Sequence, residues 1–184
     1  MDGNFTRKAR LVTGGHKTLA PALITYLSVV SRESVRLAFT IAGLNDLDVY
    51  AADISNTYLY APCRKEIWTV VEPEFGSDAG CVVLVVRALY RLKSFGVSCW
   101  KAIPAQSFTD IGYTITRADP DVWIRPAFKP DGFEYYEMVL VYVDDILQLS
   151  HDTTPTMEAL RKLYELKPES CGPPKMYLGV NVSK

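Results

Sequence analysis

The sequence predicts an α+β fold in which helices pack on one face of an antiparallel sheet. Three observations carry that expectation. Short apolar runs bounded by turn residues recur along the chain, apolar residues at helical spacing are confined to a few segments, and hairpin turns join strands in the second half. At 184 residues the chain can bury one sizeable core, so a single domain is the default. Its apolar and charged fractions, 48% and 22%, are those of a globular protein and argue against disorder.

The first ten or so residues are polar and basic, and Leu11-Val12 leads into the turn Gly14-Gly15. Residues 20–46 read as a helix after Pro21, with Leu27, Val30, Val35, Leu37, Ala38, Ile41 and Leu44 at helical spacing. Ser31 or Ser34 can cap a second segment of it, and Asn45-Asp46 ends it. A strand-like run, Leu47 to Ile54, follows and carries Asp53 near its end. Ile67 to Val71 and Cys81 to Val86 read as strands on either side of a loop holding Pro73, Gly76 and Gly80. The segment 98–112 looks helical, with Trp100, Ile103, Phe108 and Ile111 on one face and Pro104 as a kink or break. After the turn Ala118-Asp-Pro-Asp121 come a strand at 122–124, a hairpin turn at Lys129-Pro-Asp-Gly132 and a strand from Tyr135 to Tyr142. Thr153 to Tyr164 is a helix with Thr153 or Thr154 as cap and Pro155 in its first turn. Cys171-Gly-Pro-Pro174 is a break, and Met176 to Val182 a final strand.

Residues 142–145, Tyr-Val-Asp-Asp, lie between the apolar runs Met138–Val141 and Ile146–Leu149. That places two adjacent carboxylates at the tip of a buried hairpin. Two anions held together repel, and both stay ionised only if a cation neutralises them. Oxygen donors without His or Cys point to magnesium or manganese rather than zinc. The alternative is a solvated Asp-Asp turn that needs no metal. A third carboxylate decides between the two, and Asp53 supplies one from a separate strand. Carboxylates from two strands converging on two divalent ions, roughly 3.5–4 Å apart, are the arrangement for in-line attack on a phosphate.

Several ordered blocks carry a resemblance. They are Lys8 to Val12 with Gly14-Gly15-His16, Ser28 to Ser34, Leu47-Asp48 through Asp53 to Tyr58-Leu59, Ala88 to Ser94, Ala118 to Trp123, Tyr142 to Asp145 and Tyr177-Leu-Gly179. In this order they resemble the reverse transcriptase of copia-type LTR retrotransposons (Pseudoviridae) along almost the whole chain. The resemblance implies an RNA-directed DNA polymerase with a right-hand palm, partial fingers and no thumb. Residues 1–20 would be a fingers remnant and 21–184 mainly palm. It implies Asp53, Asp144 and Asp145 as catalytic carboxylates holding Mg²⁺, or Mn²⁺, with a further oxygen from the Ile54 carbonyl. Lys8, Arg10, Tyr58, Lys93 and Ser94 become nucleotide-binding candidates, Tyr58 as the ring that excludes a 2′-hydroxyl. Outside the resemblance, Lys8 and Arg10 read as a solvated tail, Tyr58 as a core aromatic and Lys93 as a surface lysine.

The implied partners are a primed RNA or DNA template and dNTP, in a polyprotein that also carries integrase and ribonuclease H. The implied location is intracellular, in a cytoplasmic virus-like particle, the nucleus or both. No membrane partner is expected, because the longest apolar run is short and interrupted by both aspartates. The four cysteines are widely spaced and read as reduced thiols. His16 and His151 have no partner at ligand spacing and read as surface residues.

Two departures and the charge point the other way. Tyr60 stands where the family usually has Asn, and Arg91 where it has Gly. The net charge of −1 is low for a nucleic-acid polymerase, so the basic clusters Arg7-Lys8-Arg10, Arg87-Arg91-Lys93 and Arg161-Lys162 must substitute for a basic surface. The competing expectation is therefore a catalytically inactive relic or binding module that keeps the palm. With thumb and complete fingers missing, the chain alone is expected to be weakly active or inactive.

Overall fold

The computed structural model describes residues 29–63, 66–89 and 105–182. The chain divides into two compact units, one of residues 27–55 and 104–184, the other of residues 1–26 and 56–103.

The larger unit is built on a five-stranded antiparallel sheet. Its strands are β1 (Asp48–Asp53), β4 (Thr114–Ile115), β5 (Val122–Phe128), β6 (Glu134–Tyr142) and β7 (Asp145–Ser150), in the spatial order β1-β7-β6-β5-β4. β5 and β6 form a hairpin closed at Lys129–Gly132, where Gly132 takes φ +86° and donates to the Lys129 carbonyl. The sequence reading stopped β5 at Ile124, yet the strand continues through Pro126 to Phe128. The proline is tolerated because β4 pairs only with Trp123 and Ile124, so the missing N–H faces no ladder partner.

Helix α1 (Arg32–Leu44) starts where Ser31 Oγ accepts the Ser34 N–H at 3.0 Å. Residues 29–31 are not helical, which separates α1 from the rest of the predicted 20–46 helix; residues 20–28 lie outside the described residues. Asp119 anchors that start, accepting the Ser31 N–H at 2.9 Å and the Ser34 hydroxyl at 2.6 Å. Val35, Ala38 and Ala42 are buried with Leu140, Leu147 and Leu149 of the sheet.

The other face of the sheet is covered as well. Tyr113 donates to Glu137 and pairs with Thr156 of α3 (Thr154–Leu163), while Phe108, in the helical segment α2 (described for residues 105–110), packs on Trp123. The α+β class with an antiparallel sheet stands, but the helices, expected on one face, divide between both: α1 packs on the face of Leu140, Leu147 and Leu149, and α2 and α3 on the face of Trp123 and Glu137. Trp100, Ile103 and Pro104 of the predicted 98–112 helix lie outside the described residues. At α3 the predicted threonine cap makes no capping bond; Asp152 Oδ1 accepts the Thr154 N–H at 2.9 Å instead.

The predicted final strand is a hairpin, β8 (Met176–Tyr177) with β9 (Val180–Asn181). Leu178 and Gly179 both take positive φ, 47° and 79°, the two-residue turn whose twist suits paired strands.

In the smaller unit β2 (Trp68–Val70) pairs antiparallel with β3 (Val82–Leu84). The run Cys81 to Val86, read as a strand, is one only over Val82–Leu84, and β3 bonds only β2 among the described strands. Ala61 and Ala88 are buried together and joined by a 2.9 Å backbone bond.

Candidate active site

The predicted aspartates come together at one end of the five-stranded sheet. β1 runs antiparallel to β7 so that its last residue, Asp53, stands opposite the first residue of β7, Asp145. Directly opposed residues share a face, and their Cβ atoms lie about 4.5–5.5 Å apart. Asp145 also stands opposite Tyr142 across the β6–β7 hairpin. Asp144 occupies the two-residue turn with Val143, and its carbonyl accepts the Ile54 N–H at 2.9 Å. The sequence reading put both carboxylates at the tip; the structure puts Asp144 in the turn and Asp145 in the strand.

The turn is strained. Val143 takes φ 56°, a conformation that β-branched residues rarely adopt. Strain of this kind persists where surrounding structure over-determines it, and it clusters at active sites. Here β6 and β7 on either side and the Ile54–Asp144 bond supply that determination.

A segment that the sequence reading passed over completes the site. Lys167 Nζ donates to Asp53 Oδ2, and the Lys167 N–H donates to the Asp53 carbonyl at 2.9 Å. Ser170 Oγ accepts the Asp53 N–H at 2.9 Å and donates to the Lys167 carbonyl at 2.8 Å. Ser55 and Ala51 bond to Glu165 and Gly172, so residues 165–172 cover the outer edge of β1. This edge carried no sequence signal, because the covering segment is aperiodic and distant in sequence.

Asp53 Oδ1 is buried and has no hydrogen-bond partner among the described residues. Burial, then Asp144 and Asp53, push the Asp145 carboxyl up to about 6 against the opposing pull of Lys167. Burial alone would lower the Lys167 ammonium, but its bond to Asp53 and the three carboxylate charges raise it overall. Tyr177 has a buried hydroxyl without a partner among the described residues. Burial first, and then Asp145 and Tyr142, hold it as the neutral phenol. A cavity of about 480 Å³ opens beside Asp145, lined also by Ala51, Ser170, Gly172, Lys175 and Tyr177.

A family model described as reverse transcriptase (RNA-dependent DNA polymerase) matches residues 2–184. The chain belongs to the reverse transcriptase family. It is the copia-type family to which the ordered blocks pointed. No curated protein and no solved structure matches this reverse transcriptase chain.

Of the residues the resemblance implied, Asp53, Ile54, Asp144 and Asp145 are therefore gathered at one sheet end. Tyr58 lies in the other unit, in the 3-10 turn Thr57–Tyr60, partly buried against Ala61 and Ala88. Lys8, Arg10, Lys93 and Ser94 lie outside the described residues, as do His16 and Arg91. His151 is exposed, as expected. Cys63, Cys81 and Cys171 form no disulfide among the described residues.

The donor set fits a divalent cation in two respects. All candidate ligands are hard oxygens, which suits Mg²⁺ or Mn²⁺. Three carboxylates face one ammonium, and Asp53 Oδ1 has its acceptor capacity unused. The side chains are not drawn into a cage: no group of three His, Cys, Asp or Glu in metal-holding geometry occurs among the described residues.

Proposed function

We propose that this sheet end carries nucleotidyl transfer by an RNA-directed DNA polymerase, in which a primer 3′-hydroxyl attacks the α-phosphate of a dNTP. The observation that carries the reading is the register of β1 on β7, which sets Asp53 opposite Asp145 with Asp144 in the adjoining turn. Asp53, Asp144, Asp145 and the Ile54 carbonyl would hold the two divalent ions. Such ions, when bound, supply activation of the hydroxyl and stabilisation of the leaving pyrophosphate.

The chain's own contribution is positioning. Small displacements from an in-line geometry are expensive, so the carboxylates must be fixed before substrate arrives. The hairpin fixes Asp144 and Asp145, and the 165–172 segment fixes the backbone of Asp53 on both its N–H and its carbonyl. By resemblance, Tyr58 selects deoxynucleotides, and Lys8, Arg10, Lys93 and Ser94 contact the nucleotide. A primed template is the partner, within a polyprotein with integrase and ribonuclease H, in a cytoplasmic particle or the nucleus.

The second reading is a palm-like relic or binding module without catalysis. The Lys167–Asp53 ion pair and the net charge of −1 favour it. Primer extension on poly(rA)/oligo(dT) with Mg²⁺ or Mn²⁺ separates the two. The polymerase reading expects weak, distributive extension that disappears in a variant with Asp144→Asn and Asp145→Asn. Extension that persists unchanged in that variant overturns it.

A further inference from the structure

Lys167 is ion-paired with a carboxylate that a divalent ion shared by Asp53 and Asp145 would need. It holds Asp53 Oδ2, and the remaining oxygen of that carboxylate is buried and unpaired. We propose that Lys167 is a built-in counter-cation, closing the carboxylate cluster in the metal-free chain and giving up Asp53 when a divalent ion binds. The proposal rests on the metal-binding reading above.

Three features suit Lys167 to that exchange. First, its backbone is pinned: the Lys167 N–H is bound by the Asp53 carbonyl, Leu166 bridges to Ile54, and Ser170 links the two residues again. The ammonium therefore returns to the same carboxylate each time. Second, a lysine is a point charge on a flexible four-carbon stem, so it can leave without any backbone movement, whereas an arginine fork would grip both oxygens. Third, its side chain keeps 32% exposure, which leaves solvent for the ammonium to enter. The alternative role, a purely structural clamp on β1, is already filled by the backbone and Ser170 bonds. Those bonds do not need the ammonium.

The electrostatics give the exchange a sign. Without Lys167 the three carboxylates lose their only ion-pair partner among the described residues. A divalent ion then has no competitor for Asp53 and meets a more negative cluster. Metal affinity should rise when the lysine charge is removed, although the metal-free fold becomes less stable. A merely structural lysine would move both quantities downward together.

The test is Mn²⁺ binding to the full 184-residue chain, read from the electron paramagnetic resonance signal of free Mn²⁺, with thermal unfolding alongside. Lys167→Met and Lys167→Gln should each bind Mn²⁺ about tenfold more tightly than the parent, on the scale of one unit charge at ion-pair distance. Lys167→Arg should bind no more tightly than the parent. Both neutral variants should melt lower without metal and regain the difference as Mn²⁺ is added. Asp145→Asn should abolish the binding in every background. Binding that depends on Asp145 but is equal or weaker in both neutral variants overturns the proposal and leaves the metal site standing. Absence of any Asp145-dependent binding overturns both.

Discussion

Lys167 holds Asp53 at two points, its ammonium on the carboxylate and its backbone N–H on the carbonyl. The residue proposed to coordinate metal is thus fixed by a loop on one side and by β7 on the other. The surrounding contacts make separate claims that can be measured.

Asp119 is the acid-sensitive fastening of α1. Burial opposes its charge, but bonds from the Ser34 hydroxyl and the Ser31 and Asp121 N–H groups outweigh that and hold its carboxyl below the usual aspartate range. A lowered folded value means that the stabilisation is present above the unfolded value near 4 and is lost as pH falls from there through the folded value. Asp119→Ala should cost roughly 1–3 kcal/mol at pH 7, and its penalty should shrink below pH 4. Urea denaturation at pH 7 and pH 3.5 measures this; a penalty independent of pH refutes the charged role.

Val143 carries backbone strain that its neighbours impose. Asn tolerates the left-handed region far better than a β-branched residue. Val143→Asn should therefore raise stability by about 1 kcal/mol, observed as a higher midpoint in urea. A lower midpoint would mean that the valine side chain contributes more than its conformation costs.

Arg125 and Glu137 form a half-buried ion pair whose carboxylate also accepts from Tyr113 and Ser150. Arg125→Met alone strands Glu137 and should cost roughly 2–3 kcal/mol. Adding Glu137→Leu should recover part of that loss, because both charges are then gone. A double-mutant cycle showing simple additivity would count against coupling.

The Tyr177 hydroxyl is buried without a described partner. Tyr177→Phe should be neutral or stabilising by about 1 kcal/mol, since an unsatisfied polar group costs that much or more. Destabilisation in calorimetry would show that the hydroxyl is satisfied after all.

Tyr58 divides the two readings of its role. If it excludes a 2′-hydroxyl, Tyr58→Val raises ribonucleotide incorporation relative to deoxynucleotide in single-addition assays. An unchanged ratio with lowered stability returns it to a core aromatic beside Ala61 and Ala88.

The carboxylate cluster was legible because Asp53 ends one apolar strand, Asp145 begins another, and Asp144 sits in the turn just before it. Its register was not legible, since many alignments of β1 on the sheet satisfy the same alternation. Lys167 and Ser170 were illegible for a different reason: they belong to an irregular segment whose partners are set by tertiary structure alone. The turn at Leu178 escaped notice because leucine gives no signal for positive φ. Val82 to Val86 has the composition of a sheet strand, and composition does not say which sheet; β3 pairs with β2.

The hairpin that presents Asp144 and Asp145 is local, whereas Asp53 reaches it across half the chain. Loop closure over such a distance delays pairing relative to local contacts. The aspartate turn should consequently form early in folding, and the three-carboxylate cluster should appear only with the docking of β1. The order reverses on unfolding: amides of β1 exchange with solvent before those of β6 and β7. A chain on its way to unfolding scatters its three carboxylates while most of its sheet is still intact.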